Sequence, residues 1–120
     1  MAVYPPGKPK RYDPIRKKGD LPPHAPGEYR ITTRFLGRIL YIGETADLQR
    51  RMGEHLRTGK IREALRHPFR RSCWFEYKVA HTSASPKARR QHEREKIRRH
   101  HPPLNRSNGG EGRTAKESRT

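Results

Sequence analysis

Residues 27–105 of this 120-residue chain read as an α+β domain, a three-stranded antiparallel sheet flanked by helices in the order β-β-α-α-β-α. Two stretches of alternating, β-branched residues stand on either side of a short link holding Gly37, apolar residues recur at helical spacing further on, and an aromatic run lies beyond them. Gly27 to Thr33 and Arg38 to Ile42 are the expected hairpin, with Gly43 ending the second strand. Thr45 is placed to cap a helix in which Leu48, Met52, His55 and Leu56 follow through about Arg57, and Gly59 stops it. Ile61, Ala64 and Leu65 predict a short second helix ending before Pro68, and Cys73 to Ala80 a third strand. Ser85 then caps a last helix, with Pro86 in its first turn, that runs to about His100 ahead of Pro102 and Pro103.

The flanks differ in kind. Seven of the eleven prolines precede Gly27, among Lys and Arg, so residues 1–26 are expected to form an extended, disordered basic arm. From 106 to 120 the chain has no large apolar side chain and reads as a second disordered tail. Hydrophobic residues make up only 29% of the whole, which fits unfolded ends around one small core. No apolar stretch approaches the ~20 residues of a bilayer helix, and the Pro-rich start lacks the apolar segment of a signal peptide. The lone Cys73 excludes an internal disulfide and a zinc ribbon on Cys pairs, and suits a reducing cytosol, so a cytoplasmic protein is expected.

A net charge of +17 makes phosphate polymers the default partner, because each cation that neutralises a phosphate releases a condensed counterion. The compact part carries 19 basic and 8 acidic groups, a net +11, and so holds most of this field itself. A membrane is the rival partner, but no helix pairs a broad apolar face with its basic one. Hydrolysis of a phosphodiester needs an activated water, neutralisation of the non-bridging oxygens and help for the departing alkoxide. The core has a single Asp, Asp47, and scattered Glu residues, which disfavours a two-metal site. One carboxylate holding Mg²⁺ or Mn²⁺, with waters and phosphate oxygens as the other ligands, is the economical alternative. Arg51 and His55 fall at i and i+4 on one helix face and can converge on one phosphate.

Motif spacing sharpens this. Gly27-Glu28-Tyr29 precedes Tyr41-Ile42-Gly43, Arg51 follows Tyr41 by ten residues, His55 lies one turn on, and Glu93 precedes Asn105 by twelve, with Ile97 and Pro102 between. In these residues the chain resembles the GIY-YIG nuclease family. The resemblance covers essentially the whole ordered core and departs from the family at Glu28, where an apolar residue is usual. It implies a one-metal DNA endonuclease with catalytic positions Tyr29, Tyr41, Arg51, His55, Glu93 and Asn105. Tyr29 would be the general base or part of the relay to it, helped by the positive core. Tyr41 would orient water or phosphate, His55 would accept a proton from Tyr29 or the nucleophile, and Asn105 would prop the site. Glu93 would be the metal ligand.

Taken singly, these residues have plainer readings as strand aromatics, a solvated base, an ion-pair partner and a turn residue. Taken jointly, the six polar positions outweigh them. Glu95 is about 200° round the helix from Glu93 and reads as solvated. Arg50, Arg57, Arg89, Arg90, Arg98 and Arg99 are the expected phosphate contacts, which carry no base sequence. Trp74, Phe75 and Tyr77 stand as either base-stacking or core residues, and His92, His100 and His101 lack a recognised zinc spacing. The expected partner is DNA, with weak sequence specificity or a preference for strand structure; a homodimer is left open. The rival class is a nucleic-acid-binding module of the same fold without turnover, and a third is an RNA-associated basic protein.

Overall fold

The computed structural model describes residues 3–66 and 72–108. Its sheet is antiparallel throughout, with strands β1 (Lys10–Asp13), β2 (Lys18–Gly19), β3 (Gly27–Thr33), β4 (Ile39–Thr45) and β5 (Cys73–Val79) in the order β2-β1-β5-β3-β4. The expected three strands form one continuous part of it, but the count is five. Both additional strands come from the segment expected to be an extended, disordered arm. Backbone pairing, which leaves no hydrophobic pattern, draws it in: Lys10, Arg11 and Tyr12 lie opposite Tyr77, Glu76 and Phe75. Asp13 then anchors the following turn. Its buried carboxylate accepts the backbone N–H groups of Ile15 and Arg16, the Ser72 hydroxyl at 2.7 Å and the Arg34 guanidinium at 2.8 Å. These bonds, with Arg34 as the charge partner, outweigh the burial of Asp13 and hold its carboxyl below the usual range.

Helix α1 (Leu48–Arg57) follows β4 almost at once. Its cap is Asp47, whose side chain accepts the Arg50 N–H at 3.0 Å. Thr45 is instead the buried end of β4, and its hydroxyl accepts the Asp47 N–H. The short α2 (Lys60–Ala64) comes next; Pro68, expected to bound it, lies outside the described residues. Helix α3 (Pro86–His100) starts on Ser85, whose hydroxyl accepts the Ala88 N–H, and ends at His101 in the left-handed region. A 3₁₀ turn at Pro103–Asn108 closes the described chain and takes in the first residues of the expected tail; 109–120 lie outside it.

Alternation along the strands gives the sheet two unlike faces. Tyr29, Ile31, Tyr41, Phe75 and Tyr77 belong to one core cluster with Leu48 and Met52 of α1 and Ile61 of α2. Phe75, Ile31, Leu48 and Ile61 are fully buried, each contributing about 1.5–3 kcal/mol. The other face is charged. Glu28 lies opposite Glu44 and Lys78, and Arg30 opposite Glu76, with α3 and residues 3–9 over them. The Lys78 ammonium donates to the Pro5 carbonyl, and Tyr4 is buried edge-on against His92 of α3.

Candidate active site

The hairpin register places Tyr29 opposite Gly43, and this glycine is a requirement of packing: a Cβ there would collide with the Tyr29 phenol. Tyr41, two residues earlier, points to the same face, its ring 6.2 Å from that of Tyr29. Across from both stands His55, with ring centroids 5.4 Å from Tyr29 and 5.3 Å from Tyr41. The Tyr29 hydroxyl is 2.6 Å from His55 Nε2. Gly59 leaves room for that imidazole, since a Cβ at 59 would lie 2.7 Å from Nδ1.

The other ring nitrogen decides how the proton is held. The Lys60 backbone N–H donates to His55 Nδ1 at 3.0 Å, so Nδ1 is unprotonated, and the neutral ring carries its hydrogen on Nε2. Burial, with the Arg51 and Lys60 charges, pushes the imidazolium down to about 4, so the ring is neutral near pH 7. His55 therefore donates to the Tyr29 oxygen. In this resting arrangement His55 is a donor to Tyr29, whereas the resemblance implies a partner that accepts a proton from Tyr29 or the nucleophile.

The expected positive field is also not what governs Tyr29. Burial, then the neighbouring Tyr41, raises its phenol well above the ordinary value, and Glu93 adds to the rise; Arg51 alone among these groups works the other way. Tyr41 is raised too, by burial and then by Glu93. Both side chains are phenols, not phenolates, at neutral pH. Arg51 is half-buried on α1 and held by Glu54 at 2.9 Å. Burial opposes its charge, but Tyr29, Glu54 and Tyr41 outweigh that, so it is a permanent cation beside the two tyrosines.

Glu93 and Asn105 reach the site at the open edge of β4, the outermost strand on that side. Asn105 Oδ1 accepts the Ile42 N–H at 2.8 Å and its Nδ2 donates to the Ile42 carbonyl at 2.9 Å, in the manner of a missing neighbour strand. The Glu93 carboxylate accepts the Glu44 N–H two residues on. Burial first, then Glu44 and Glu28, push its carboxyl up to about 7. Glu44 itself is paired with Arg89 at 3.0 Å, and Glu28 with His92 at 2.9 Å. Glu28 faces away from Tyr29 as its strand position predicts, yet it reaches the site through Glu93.

The expected phosphate contacts divide. Arg50, Arg57, Arg90, Arg98 and Arg99 are exposed, with Arg50 paired to Glu54. Arg89 does not join them: it is buried, because the Glu44 carboxylate beneath α3 takes its guanidinium. Phe75 and Tyr77 are core, whereas Trp74 lies between the Arg11 and Arg34 guanidiniums, 4.2 and 4.7 Å from its ring. The reading missed Glu44 and Lys60. The hairpin register, which sets Glu28 against Glu44, was a signal for the first; the second acts through its backbone and leaves none.

Among the described residues no group of three His, Cys, Asp or Glu side chains gathers around a point where a metal could sit. The donor set at the β4 edge is one carboxylate, Glu93, in a field made acidic by Glu44 and Glu28. That fits a hard divalent cation that keeps most of its waters, such as Mg²⁺ or Mn²⁺, and does not fit a site for zinc.

Two paired strands, an Arg- and His-bearing helix and a later helix that supplies Glu93 thus meet at one tyrosine pair, the layout of a small nuclease domain. The family model of the GIY-YIG catalytic domain matches residues 26–108, and the chain belongs to that family. Its nucleases are generally metal-dependent, and a domain of this type implies a DNA substrate. Neither the curated proteins nor the solved structures give a match.

Proposed function

We propose that the protein is a metal-dependent endonuclease that hydrolyses DNA phosphodiesters at the Tyr29–Tyr41 pocket, with Arg51, His55 and Glu93 acting on the scissile group. The observation that carries the reading is the 2.6 Å contact between Tyr29 and a His55 whose tautomer is fixed by Lys60. A pure binding module needs no such arrangement under a buried tyrosine.

Glu93 would hold the divalent cation, which when bound supplies positive charge to the phosphate and to the attacking water. The remaining work belongs to the chain. Arg51 presents a fixed guanidinium to charge developing on the non-bridging oxygens. Tyr29 receives a hydrogen bond from His55 Nε2–H, so its oxygen is supported whenever its own proton moves toward a neighbour. Because ionised Glu93 raises both phenols, neutralising that carboxylate lowers the cost of shifting a proton from either. Tyr41 is the second hydroxyl available to orient water or phosphate. Asn105 is a positioning residue, since it fixes Ile42 beside Tyr41 and touches no reacting atom.

The test is a panel of labelled single-stranded, duplex and branched DNA, incubated with Mg²⁺, Mn²⁺ or chelator. Cutting that needs metal, and that disappears in Glu93→Gln, Tyr29→Phe and Arg51→Ala while binding persists, is expected. Binding without cutting under every divalent metal would instead support the non-catalytic module.

A further inference from the structure

The two exposed turns at one end of the sheet carry an arrangement that the catalytic pocket does not use. β1 and β3 run in the same direction, each antiparallel to β5, so the β1–β2 turn and the β3–β4 turn emerge side by side. Phe35 and Leu36, at the tip of the second, are 80% and 95% exposed, the two most exposed large apolar side chains among the described residues, and Ile15 on the first is also exposed. Leu36 adopts φ 70°, a left-handed conformation that a branched side chain resists, yet it gains no packing in return. The tip is nevertheless well built. Thr33 Oγ1 donates to the Phe35 carbonyl at 2.6 Å and accepts the Arg38 N–H at 2.9 Å, while the Arg38 carbonyl accepts the Thr33 N–H. Asp13 locks the two turns together by holding Arg34 from one and the Ile15 and Arg16 amides from the other.

Cations surround these apolar tips: Arg16 and Lys17 on one turn, Lys18 at the start of β2 and Arg38 on the other turn, all exposed. A second copy of a chain at +17 would meet like charge there. Two or three side chains are also too small an apolar area to hold a membrane by themselves. Nucleic acid meets both requirements, phosphate for the cations and exposed base faces for Phe35 and Leu36. β3 carries the chain about 13 Å from Tyr29 to Thr33 at strand rise and the tip lies beyond its end, so it would touch DNA flanking the cleaved bond.

We infer that the paired turns form a wedge that recognises an interrupted or branched DNA duplex, with Phe35 and Leu36 pressing against unstacked bases and the surrounding cations holding the flanking phosphates. The inference rests on the DNA substrate proposed above and adds to it a substrate class, DNA whose stacking is already broken. Both substituted side chains face solvent, so variants retain the fold.

The experiment is done with chelator present, so that it reads binding alone and cannot fail because turnover fails. Affinity of the full chain, of Phe35→Ser/Leu36→Ser and of Phe35→Trp is measured for a flap or three-way junction and for an intact duplex, with 2-aminopurine beside the junction. Wild type is expected to bind the branched DNA at least about tenfold more tightly than duplex and to raise the 2-aminopurine fluorescence; the double serine variant should lose both effects while its duplex affinity stays within about twofold. Phe35→Trp should retain them. Equal affinity of wild type and the double serine variant for branched DNA overturns the wedge. So does a variant that keeps branched-DNA binding but loses association with anionic phosphatidylserine vesicles, or changes only in sedimentation as a dimer.

Discussion

The two faces of the central sheet divide their labour. Toward α1 the face is aromatic and dry: Tyr29 stacks on Phe75 at 4.9 Å, Tyr41 lies beside it, and their polar partners are His55 and Arg51. Toward α3 the face is built of opposed charges, Glu28 with His92, Glu44 with Arg89, and Arg30 with Glu76 at 2.6 Å. The first face raises the pKa of its phenols by withholding water, whereas the second surrounds Glu93 with neighbouring carboxylates. The difference teaches where chemistry is possible. Neither face alone brings the tyrosine pair, the Arg51 guanidinium and the Glu93 carboxylate together; they meet around the edge of β4, where Glu93 and Asn105 take backbone groups of that strand.

The aromatic face should be the more sensitive to change. Tyr29→Phe removes the acceptor of the His55 Nε2–H, and single-turnover cleavage should fall about 100-fold or more. The same variant leaves a buried donor unpaired, so a urea melt should show a loss of about 1–3 kcal/mol. Unchanged cleavage would place the chemistry elsewhere.

His55 gives that face a pH signature. Its folded pKa, about 4, lies below the ordinary 6.5, so the unfolded chain takes the proton first as pH falls. The His55 contribution is therefore intact above about 6.5 and declines between there and about 4. That contribution should amount to about 2 kcal/mol by pH 5, read as the difference between the wild-type and His55→Gln urea-midpoint profiles, because Glu93, pushed up to about 7, acts in the opposite sense in both proteins.

At the junction, Asn105→Ala frees both backbone groups of Ile42 without touching the tyrosines. Cleavage should drop about tenfold through misplacement, and amide exchange at Ile42 should accelerate. Exchange that stays slow would mean another group covers the edge.

The charged face should respond most weakly. Glu28→Gln removes one of the carboxylates that push Glu93 up to about 7, so the acidic limb of the pH–rate profile should move to lower pH with little change in the plateau. A limb that stays in place would show that Glu93 does not set it.

Much of the aromatic face could be read from sequence because its signals are local. Alternation in Gly27 to Thr33, helical spacing from Leu48 to Leu56, and the Ser85-Pro86 start of α3 each report a periodicity or a cap. The positions Tyr29, Tyr41, Arg51, His55 and Glu93 came with the resemblance to the GIY-YIG family that those motifs carry. What escaped the reading depends on pairing at a distance. β1 is held by backbone bonds to β5 and by Asp13, so a Pro-rich basic composition concealed it. Arg89 resembles Arg90 in sequence and differs only because Glu44 lies beneath it. The raised phenol of Tyr29 follows from depth of burial, which net charge does not report, and the donor role of His55 depends on the Lys60 amide.

The most direct test of the account is Mn²⁺ binding followed by electron paramagnetic resonance, with an uncleavable phosphorothioate DNA present, in the wild type and in Glu93→Gln. One bound ion per chain in the wild type and none in the variant, at matched DNA affinity, is the predicted result. Equal Mn²⁺ binding by the two proteins would contradict it.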